Sequence, residues 1–170
     1  MKILMRKMLK VRFAVVEDCE SLQGCLIRTW DSLREWLPAS FVDPELKSMH
    51  ELGEIKKLRE RIESKDEILL IAEENHRVVG MALGREAGGV CSLGYLAVTK
   101  ECRGRGIGSR LLNRFIKEGR RRKAHKIWLF TSPRLVPAIG LYVKSGFLPE
   151  GLLRNHTRGL DMIIYSKFLS

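Results

Sequence analysis

A glycine-rich hexapeptide, Arg103 to Gly108 (RGRGIG), is the part of this 170-residue chain whose residue types and spacing point most directly to chemistry. It lies between a predicted strand and a predicted helix start, where the first backbone N–H groups have no partner within the helix. The helix dipole favours an anion there, and glycines let a phosphate approach the backbone closely. Arg103 and Arg105 add positive charge beside it. The segment therefore predicts a diphosphate site; a tight turn that uses glycine only for its geometry is the alternative.

The spacing of the glycines excludes two common phosphate-binding loops. A Walker loop ends in Gly-Lys-Ser/Thr, but here Gly108 is followed by Ser109 and Arg110. The Rossmann fingerprint has the spacing G-x-G-x-x-G, whereas this loop reads G-x-G-x-G and follows three earlier predicted strands. The loop therefore indicates a different diphosphate ligand.

The net charge of the chain is concentrated around this loop. The chain has 31 Lys and Arg against 20 Asp and Glu, a formal charge of +11 that first suggests nucleic-acid binding. Residues 100–126 contain eleven basic and two acidic residues, so this segment alone carries +9. The run Arg120 to Lys123 has no interleaved aromatic residues, which single-strand binding would favour. We interpret the run as a solvated helix end, with an acidic protein or RNA partner as the alternative.

Length and composition predict one domain of an ordinary soluble protein. Residues 1–9 are interpreted as a short basic extension or the start of the first strand, and residues 10–170 as the single domain. No stretch approaches the ~18 apolar residues that cross a bilayer. The cysteines form no Cys-x-x-Cys pair and have no His at metal-ligand spacing, which predicts reduced structural thiols, no metal and a cytoplasmic location; they are Cys19, Cys25, Cys91 and Cys102.

The order of apolar patterns predicts a mixed sheet covered by helices. A strand over 10–16 precedes a helix that Pro38 ends, and a second helix starts with Asp43 as N-cap and Pro44 in its first turn. The remaining segments are predicted as a hairpin (67–72 and 77–83), a strand (90–98), the helix after the loop, a strand (127–131), a helix (136–145) and two strands (147–153 and 160–168). The fold class is therefore α/β, or α+β by stricter definition, with a mostly antiparallel central sheet flanked by helices.

Two segments resemble the signatures of one enzyme superfamily. The segment Tyr95 to Leu112 (YLAVTKECRGRGIGSRLL) resembles the acetyl-CoA signature Gln/Arg-x-x-Gly-x-Gly/Ala of the GNAT acetyltransferases, with Arg103 at its first position. The segment Ala138 to Phe147 (AIGLYVKSGF) resembles the second signature, a helix with Leu-Tyr followed by Gly-Phe. The element order agrees over residues 10–168, so the resemblance covers nearly the whole chain and implies a GNAT acyltransferase-like fold.

The resemblance implies acetyl-CoA as co-substrate, without a metal. Backbone amides of the loop would hold the pyrophosphate, and the preceding strand would bind the pantetheine arm as an added strand. The strands at 90–98 and 127–131 would splay apart to admit the thioester. Tyr142 would donate a proton to the departing thiolate; an amphipathic core residue is the alternative. The implied cofactor-binding residues are Leu96, Ala97, Val98, Arg103, Gly104, Arg105, Gly106, Ile107, Gly108 and Ser109.

The chain departs from the family pattern at two places. The Asn that often precedes the Ala of the second signature is absent from residues 133–137, and the strand at 90–98 has no Glu to act as general base. The base therefore stays open between a water chain and Glu86, Glu73, His50 or Tyr95. The acceptor pocket is also open, because four aromatic residues could line it or belong to the core: Trp30, Trp36, Phe41 and Trp128.

These observations predict an N-acetyltransferase that moves the acetyl group directly from acetyl-CoA to a primary amine of a small molecule, peptide or protein. The alternative is a basic RNA- or ribosome-associated binding module on a catalytically degenerate form of the same fold. The prediction includes no nucleic-acid or membrane partner for the enzyme, and it leaves a homodimer open.

Overall fold

The computed structural model of the chain describes residues 9–51 and 53–169. This part contains seven strands, five helices and three short 3-10 turns. In chain order the elements are β1 (Leu9–Phe13), α1 (Cys19–Ser32), α2 (Ala39–His50), α3 (Gly53–Glu63), β2 (Glu67–Glu74), β3 (Arg77–Ala87), β4 (Val90–Val98), α4 (Ile107–Arg121), β5 (Lys126–Thr131), α5 (Val136–Lys144), β6 (Leu148–Thr157) and β7 (Leu160–Phe168), with 3-10 turns at Val16–Asp18, Leu33–Glu35 and Lys100–Cys102. The predicted N-terminal extension, apart from Leu9, lies outside the described residues.

The seven strands form one sheet in the order β1-β2-β3-β4-β5-β7-β6. The β4–β5 pair is parallel and the other five pairs are antiparallel. The parallel pair is the one that is connected through α4, because a parallel connection needs a crossover long enough to return to the same end of the sheet. The predicted mixed, mostly antiparallel sheet is confirmed.

Helices cover the two faces of the sheet and divide the core. On one face, α4 and α5 bury a cluster that includes Leu111, Phe115 and Phe147. On the other face, α1 and α3 pack on β2 and β3 through residues such as Leu22 and Leu58. The sheet is thus enclosed between two apolar layers, which fixes the orientation of the strands that carry the site.

The early helical region differs from the sequence prediction. Helix α2 begins at Ala39, with Pro38 in an extended conformation as its N-cap, and Pro44 lies inside the helix. Phe41 and Val42 are buried against Met162 of β7, and this tertiary contact outweighs the local preference for starting a helix at Pro44. The prediction of a helix start at Asp43–Pro44 is therefore wrong, and the apolar pattern from Leu46 to Ile62, which predicts one helix, is divided between α2 and α3.

One close approach holds α4 against the sheet. A Cβ on Gly84 of β3 would lie 2.2 Å from the Ser92 carbonyl oxygen and 2.4 Å from Cζ of Phe115. Only glycine lets the Phe115 ring of α4 reach the backbone of the sheet at this point. The four cysteines are buried with free thiols, as predicted. Within the described ranges, no helix is both long and apolar enough to cross a bilayer.

Candidate active site

The glycine-rich loop turns directly into helix α4. Gly104 and Gly106 have φ of 72° and 75°, in the left-handed region that glycine adopts without a Cβ penalty. Gly106 is the N-cap residue of α4, and the Arg110 amide donates to its carbonyl at 3.1 Å. The amides of residues 104–109 therefore precede the first intrahelical bond and are available to an anion, whereas the Arg103 amide donates to the Lys100 carbonyl at 3.3 Å. This geometry agrees with the cradle that the sequence predicts.

The arginine side chains of the loop are held by protein groups. The Arg105 guanidinium forms an ion pair with the buried carboxylate of Glu74 on β2. Arg103 donates from Nε to the Val98 carbonyl at 3.0 Å and from Nη2 to the Ser32 hydroxyl at 2.6 Å. Each guanidinium therefore has an acceptor within the protein, and its positive charge stays beside the loop. The backbone of the loop, together with the helix dipole, is what remains to bind an anion.

Strands β4 and β5 separate soon after they meet. Their pairing runs from Val90 opposite Lys126 to Ser92 opposite Trp128, whereas β4 continues to Val98 and β5 to Thr131. Beyond Ser92 the two strands diverge and leave a gap, which we call the fork. The predicted splaying of these strands is thus present.

The backbone amide and carbonyl groups of β4 point alternately toward β3 and toward the fork. Thr99 donates its amide to Val79 of β3 at 2.9 Å, and Ala97 lies opposite Met81 in the same antiparallel ladder. Because polar groups of successive residues point to opposite sides of a strand, those of Leu96 and Val98 face the fork. The amide of Ala97 points the other way, toward β3. Leu96 and Val98 are thus oriented as the resemblance implies, and Ala97 is not.

Tyr142 lies on the α5 side of the sheet. Its side chain is 7% exposed, with ring centroids 6.0 Å from Phe147 and 6.4 Å from Tyr165. Burial raises the pKa of Tyr142 to about 12. The chain reverses at Gly146, where φ is 81°, and the Phe147 amide donates to the Tyr142 carbonyl at 3.0 Å. The Leu-Tyr and Gly-Phe parts of the second signature are therefore one packing unit.

The two signatures also meet in space. A Cβ on Gly108, in the first turn of α4, would lie 3.2 Å from Cδ2 of Leu141. Leu141 precedes Tyr142 on α5, so the start of α4 and the helix that carries the tyrosine are in contact. The small residue at position 108 lets these helices approach, which brings the anion cradle and Tyr142 to one side of the fork.

Aromatic side chains lie on the opposite face of the sheet. Trp30 stacks on Phe41 at 6.0 Å and meets Tyr95 of β4 edge-on at 6.4 Å. On the other side of the fork, the rings of Trp128 and Phe130 are 6.2 Å apart. Trp36 packs against the same cluster as Trp30 and lies under the Arg103 guanidinium at 5.6 Å. Of the four predicted lining aromatics, Trp30 contacts a strand of the fork and Trp128 lies on one, whereas Phe41 and Trp36 belong to the cluster packed around Trp30.

A pocket of about 170 Å³ opens beside Tyr95 on this face. Helices α1 to α3 form its roof, and Glu45, Glu54 and Arg61 contribute charged groups to its lining. Glu45 also forms an ion pair with Arg158, in the turn between β6 and β7, at 2.6 Å. Burial raises the pKa of the Tyr95 phenol, so this group is neutral at physiological pH.

The four candidate general bases are dispersed in the structure. Glu73 on β2 accepts a hydrogen bond from Arg12 at 2.8 Å, and Glu86 accepts one from the Gly89 amide at the β3–β4 turn. His50 is the last residue of α2. Tyr95 is the one of the four that lies on a strand of the fork, beyond the point of divergence.

The sequence analysis did not single out His156 as a site residue, yet it lies close to the fork. The ring of His156 on β6 meets Phe130 of β5 edge-on at 5.9 Å, on the aromatic face. Its Nδ1 lies 2.9 Å from the Thr157 hydroxyl. The pairing of β5 with β7, and of β7 with β6, creates this contact, so only knowledge of the strand order could have revealed it.

The basic run at the end of α4 has a structural role. Glu118, 3% exposed, accepts hydrogen bonds from Arg121 at 2.6 Å and from Arg122 at 3.2 Å. Arg122 also donates to the carbonyls of Lys65 and Glu67, at 2.8 and 3.0 Å. Arg122 therefore fastens the end of α4 to the segment that leads into β2, and Arg121 is bound to Glu118 within the same helix.

Comparison with known proteins identifies the class. The model of the Acetyltransferase (GNAT) family matches residues 30–147, and the chain belongs to this family. It is therefore an acetyl-CoA-dependent acyltransferase.

Solved structures with the same fold include three informative neighbours. The PaiA N-acetyltransferase from Thermoplasma acidophilum, in complex with coenzyme A, has a TM-score of 0.83 at 17% identity, over 95% of this chain and 99% of that one. The ribosomal-protein-alanine N-acetyltransferase from Brucella melitensis has a TM-score of 0.75 at 25% identity, over 94% and 99%. The protein yncA from Salmonella typhimurium, with its cofactor acetyl-CoA, has a TM-score of 0.67 at 22% identity, over 95% and 94%. None of these comparisons supports the alternative of a basic binding module.

Proposed function

We propose that this protein transfers the acetyl group of acetyl-CoA directly to a primary amine. The observation that carries the proposal is the fork between β4 and β5, which has the glycine cradle at its end and Tyr142 on one face. The amides of residues 104–109 bind the pyrophosphate, and the backbone groups of Leu96 and the Val98 amide pair with the pantetheine arm; the Arg103 amide and the Val98 carbonyl already have partners within the protein. This arrangement directs the thioester into the gap between the strands.

The chemistry needs positioning and proton transfer but no protein nucleophile. The amine nitrogen attacks the thioester carbon and releases its extra proton to solvent, the carbon–sulfur bond breaks, and the thiolate takes a proton from the Tyr142 hydroxyl. The phenol is then reprotonated from solvent. The pKa of about 12 keeps the phenol protonated in neutral solution, so the proton donor is present in its acid form. A thiol, with a reference pKa of ~8.5, is a stronger acid than this phenol, so the transfer is drawn forward by reprotonation of the phenolate.

The amine approaches from the aromatic face, opposite Tyr142. Trp30, Tyr95 and Phe130 flank this approach. Aromatic faces attract an ammonium group, so they suit the charged form in which the amine arrives. The ammonium must lose a proton before attack, and either Tyr95 or a chain of water molecules serves as the relay.

Three further expectations belong to this proposal. Residues 10–170 act as one acetyltransferase domain. The four free buried thiols favour a cytoplasmic location. The acceptor is a small molecule, a peptide or a protein, and a second copy of the chain in a homodimer is an open alternative.

A thermal-shift measurement followed by an amine panel tests the proposal. Coenzyme A at ~100 times its Kd should stabilise the protein by about 2.7 kcal/mol, which corresponds to a rise in Tm of roughly 5–11 °C for a domain of this size. The panel then combines acetyl-CoA with small amines, amino acids and peptides and measures release of the free thiol. Absence of a thermal shift at saturating coenzyme A would overturn the proposal.

A further inference from the structure

The apex of the glycine cradle has little packing of its own. Arg105 lies there between Gly104 and Gly106, and a Cβ on either glycine would meet no atom of the described residues within 4 Å. This open space leaves room for a ligand. Glycine also has more backbone freedom than any other residue, so an apex with two glycines in three residues needs a support from elsewhere in the fold.

The side chain of Arg105 reaches from this apex to the last residue of β2. Its two terminal nitrogens bond to the two carboxylate oxygens of Glu74, with Nη1 at 3.2 Å from Oε2. The Glu74 side chain is 7% exposed, and its backbone is paired with Leu9 of β1 and Arg77 of β3, so the sheet fixes the position of this partner. A two-point contact between a guanidinium and a carboxylate sets direction as well as distance.

The negative charge of Glu74 makes this contact informative. A carboxylate beside an anion site repels the anion, and burial of a charge is unfavourable unless the charge is paired. A neutral residue at position 74 would leave Arg105 as an unbalanced cation, which would attract coenzyme A more strongly. The pair therefore reduces the positive charge that the loop offers, and what it supplies is a fixed direction for the Arg105 side chain.

We infer that Glu74 is a positioning residue, which acts through Arg105 to hold the apex of the cradle in its binding conformation before coenzyme A arrives. This inference rests on the proposed function, because it requires the cradle to bind coenzyme A. The amides around Arg105 then face the ligand without an ordering step, so the free energy of ordering the loop is not subtracted from the binding free energy. Arg105 stays on Glu74 when the pyrophosphate binds.

Calorimetric titration with coenzyme A tests this role, because loop geometry and charge predict opposite signs. Glu74→Gln removes the negative charge and one of the two carboxylate acceptors of Arg105. From the charge alone, the variant should bind the anionic coenzyme A more tightly. We expect the Kd to rise about tenfold instead, which corresponds to about 1.4 kcal/mol, close to the cost of ordering the backbone of one residue.

The matched control is Glu67→Gln. Glu67 is a partly buried carboxylate at the other end of β2, with Arg61 as its partner at 3.7 Å, and its variant changes the net charge by the same amount. The control should keep the Kd of coenzyme A within about twofold of the unmodified protein, since its pair does not touch the loop.

A second test variant keeps the charge and changes only the reach of the side chain. Glu74→Asp shortens the side chain by one methylene, so the carboxylate can no longer meet both nitrogens of Arg105, and the Kd should rise at least about threefold. If Glu74→Gln does not fold, Glu74→Asp decides the question.

A double-mutant cycle tests whether Glu74 acts through Arg105. Arg105→Lys keeps the positive charge but cannot make the two-point contact, so alone it should raise the Kd at least about threefold. In the Glu74→Gln background the same change should raise the Kd by less than about twofold, because the contact is already lost.

Three results would overturn the inference. One is an unchanged or lower Kd in a folded Glu74 variant; a lower value would show that the carboxylate only opposes the anion. Another is equal weakening in Glu67→Gln, or independent effects of the two changes in the cycle. The third is the absence of coenzyme A binding by the unmodified protein, which would overturn the proposed function as well; the first two leave that function intact.

Discussion

Replacement of Tyr142 by phenylalanine separates the roles of its ring and its hydroxyl. The variant Tyr142→Phe deletes one oxygen and keeps the ring, which packs between Phe147 and Tyr165. The side chain lies among apolar neighbours, so the fold should be retained and Tm should change by less than about 4 °C, which corresponds to about 1 kcal/mol in a domain of this size.

The size of the expected rate loss follows from the protonation state of the phenol. With a pKa of about 12, the Tyr142 hydroxyl is ionised in roughly one molecule in 10⁴ at pH 8, so nearly every molecule carries the proton that the thiolate needs. Loss of a general acid lowers kcat by roughly 10² to 10⁴, which corresponds to about 2.7–5.4 kcal/mol of transition-state stabilisation. Coenzyme A affinity should change by less than about twofold, because the cradle supplies the binding groups.

The assay compares kcat for thiol release, with the best amine of the panel, between Tyr142→Phe and Tyr165→Phe. Tyr165 is a neighbouring buried tyrosine on β7, and its variant removes the same atom from the same cluster. The reasoning is refuted if both variants keep kcat within about threefold of the unmodified protein. A fall in kcat between pH 8 and 10 that disappears only in Tyr142→Phe would also contradict it, since a phenol with a pKa of about 12 does not deprotonate in that range.

Two further perturbations test the cradle and its support. Gly106→Ala places a Cβ on a residue with left-handed backbone at the N-cap of α4, and it should weaken coenzyme A binding about tenfold in calorimetry. The control is Gly88→Ala, which imposes the same strain at the β3–β4 turn and should leave coenzyme A binding unchanged. Hydrogen bonds from Arg121 and Arg122 lower the pKa of Glu118 in the folded protein. The stabilisation that these bonds give is fully present above the pKa of Glu in the unfolded chain, about 4.3. It is lost as the pH falls through the lower pKa of the folded state. Glu118→Gln should therefore reduce the free energy of unfolding by about 2 kcal/mol at pH 7, as measured with urea, and the difference should shrink in acid; an equal difference at pH 7 and pH 3 would contradict this explanation.

The order of the elements along the chain and the backbone of the site could largely be predicted from the sequence. The glycine spacing from Gly104 to Gly108 specifies left-handed turns and a helix start, which are local properties of the chain. The apolar run Val90–Val98 identifies β4 with its observed ends. The contact between Leu141 and Gly108 follows only from the fold, but the two signatures already indicated that their segments belong to one site.

Side-chain directions could not be predicted in the same way. Arg103 bonds to Ser32, which is 71 residues away along the chain, and Arg105 bonds to Glu74, which is 31 residues away. Local sequence patterns cannot predict contacts at such separations. The predicted start of α2 is wrong for a similar reason, since the observed start depends on packing against β7. The basic run at 120–123 is solvent-exposed as predicted except at Arg122, which the carbonyls of Lys65 and Glu67 hold.

The early divergence of β4 and β5 leaves unpaired strand edges inside the sheet, where packing protects them from pairing with another chain. A strand that lacks a neighbour on one side exposes backbone donors and acceptors that can pair with another chain, and proteins usually protect such edges. Beyond Ser92 and Trp128, each strand of the fork has such an edge, but it lies in the middle of the sheet rather than at its border. Helices α4 and α5 cover one face, and α1 and α2 cover part of the other. The fold thus keeps an unsaturated strand edge available to an extended small molecule, while another polypeptide strand would have to displace a helix to reach it.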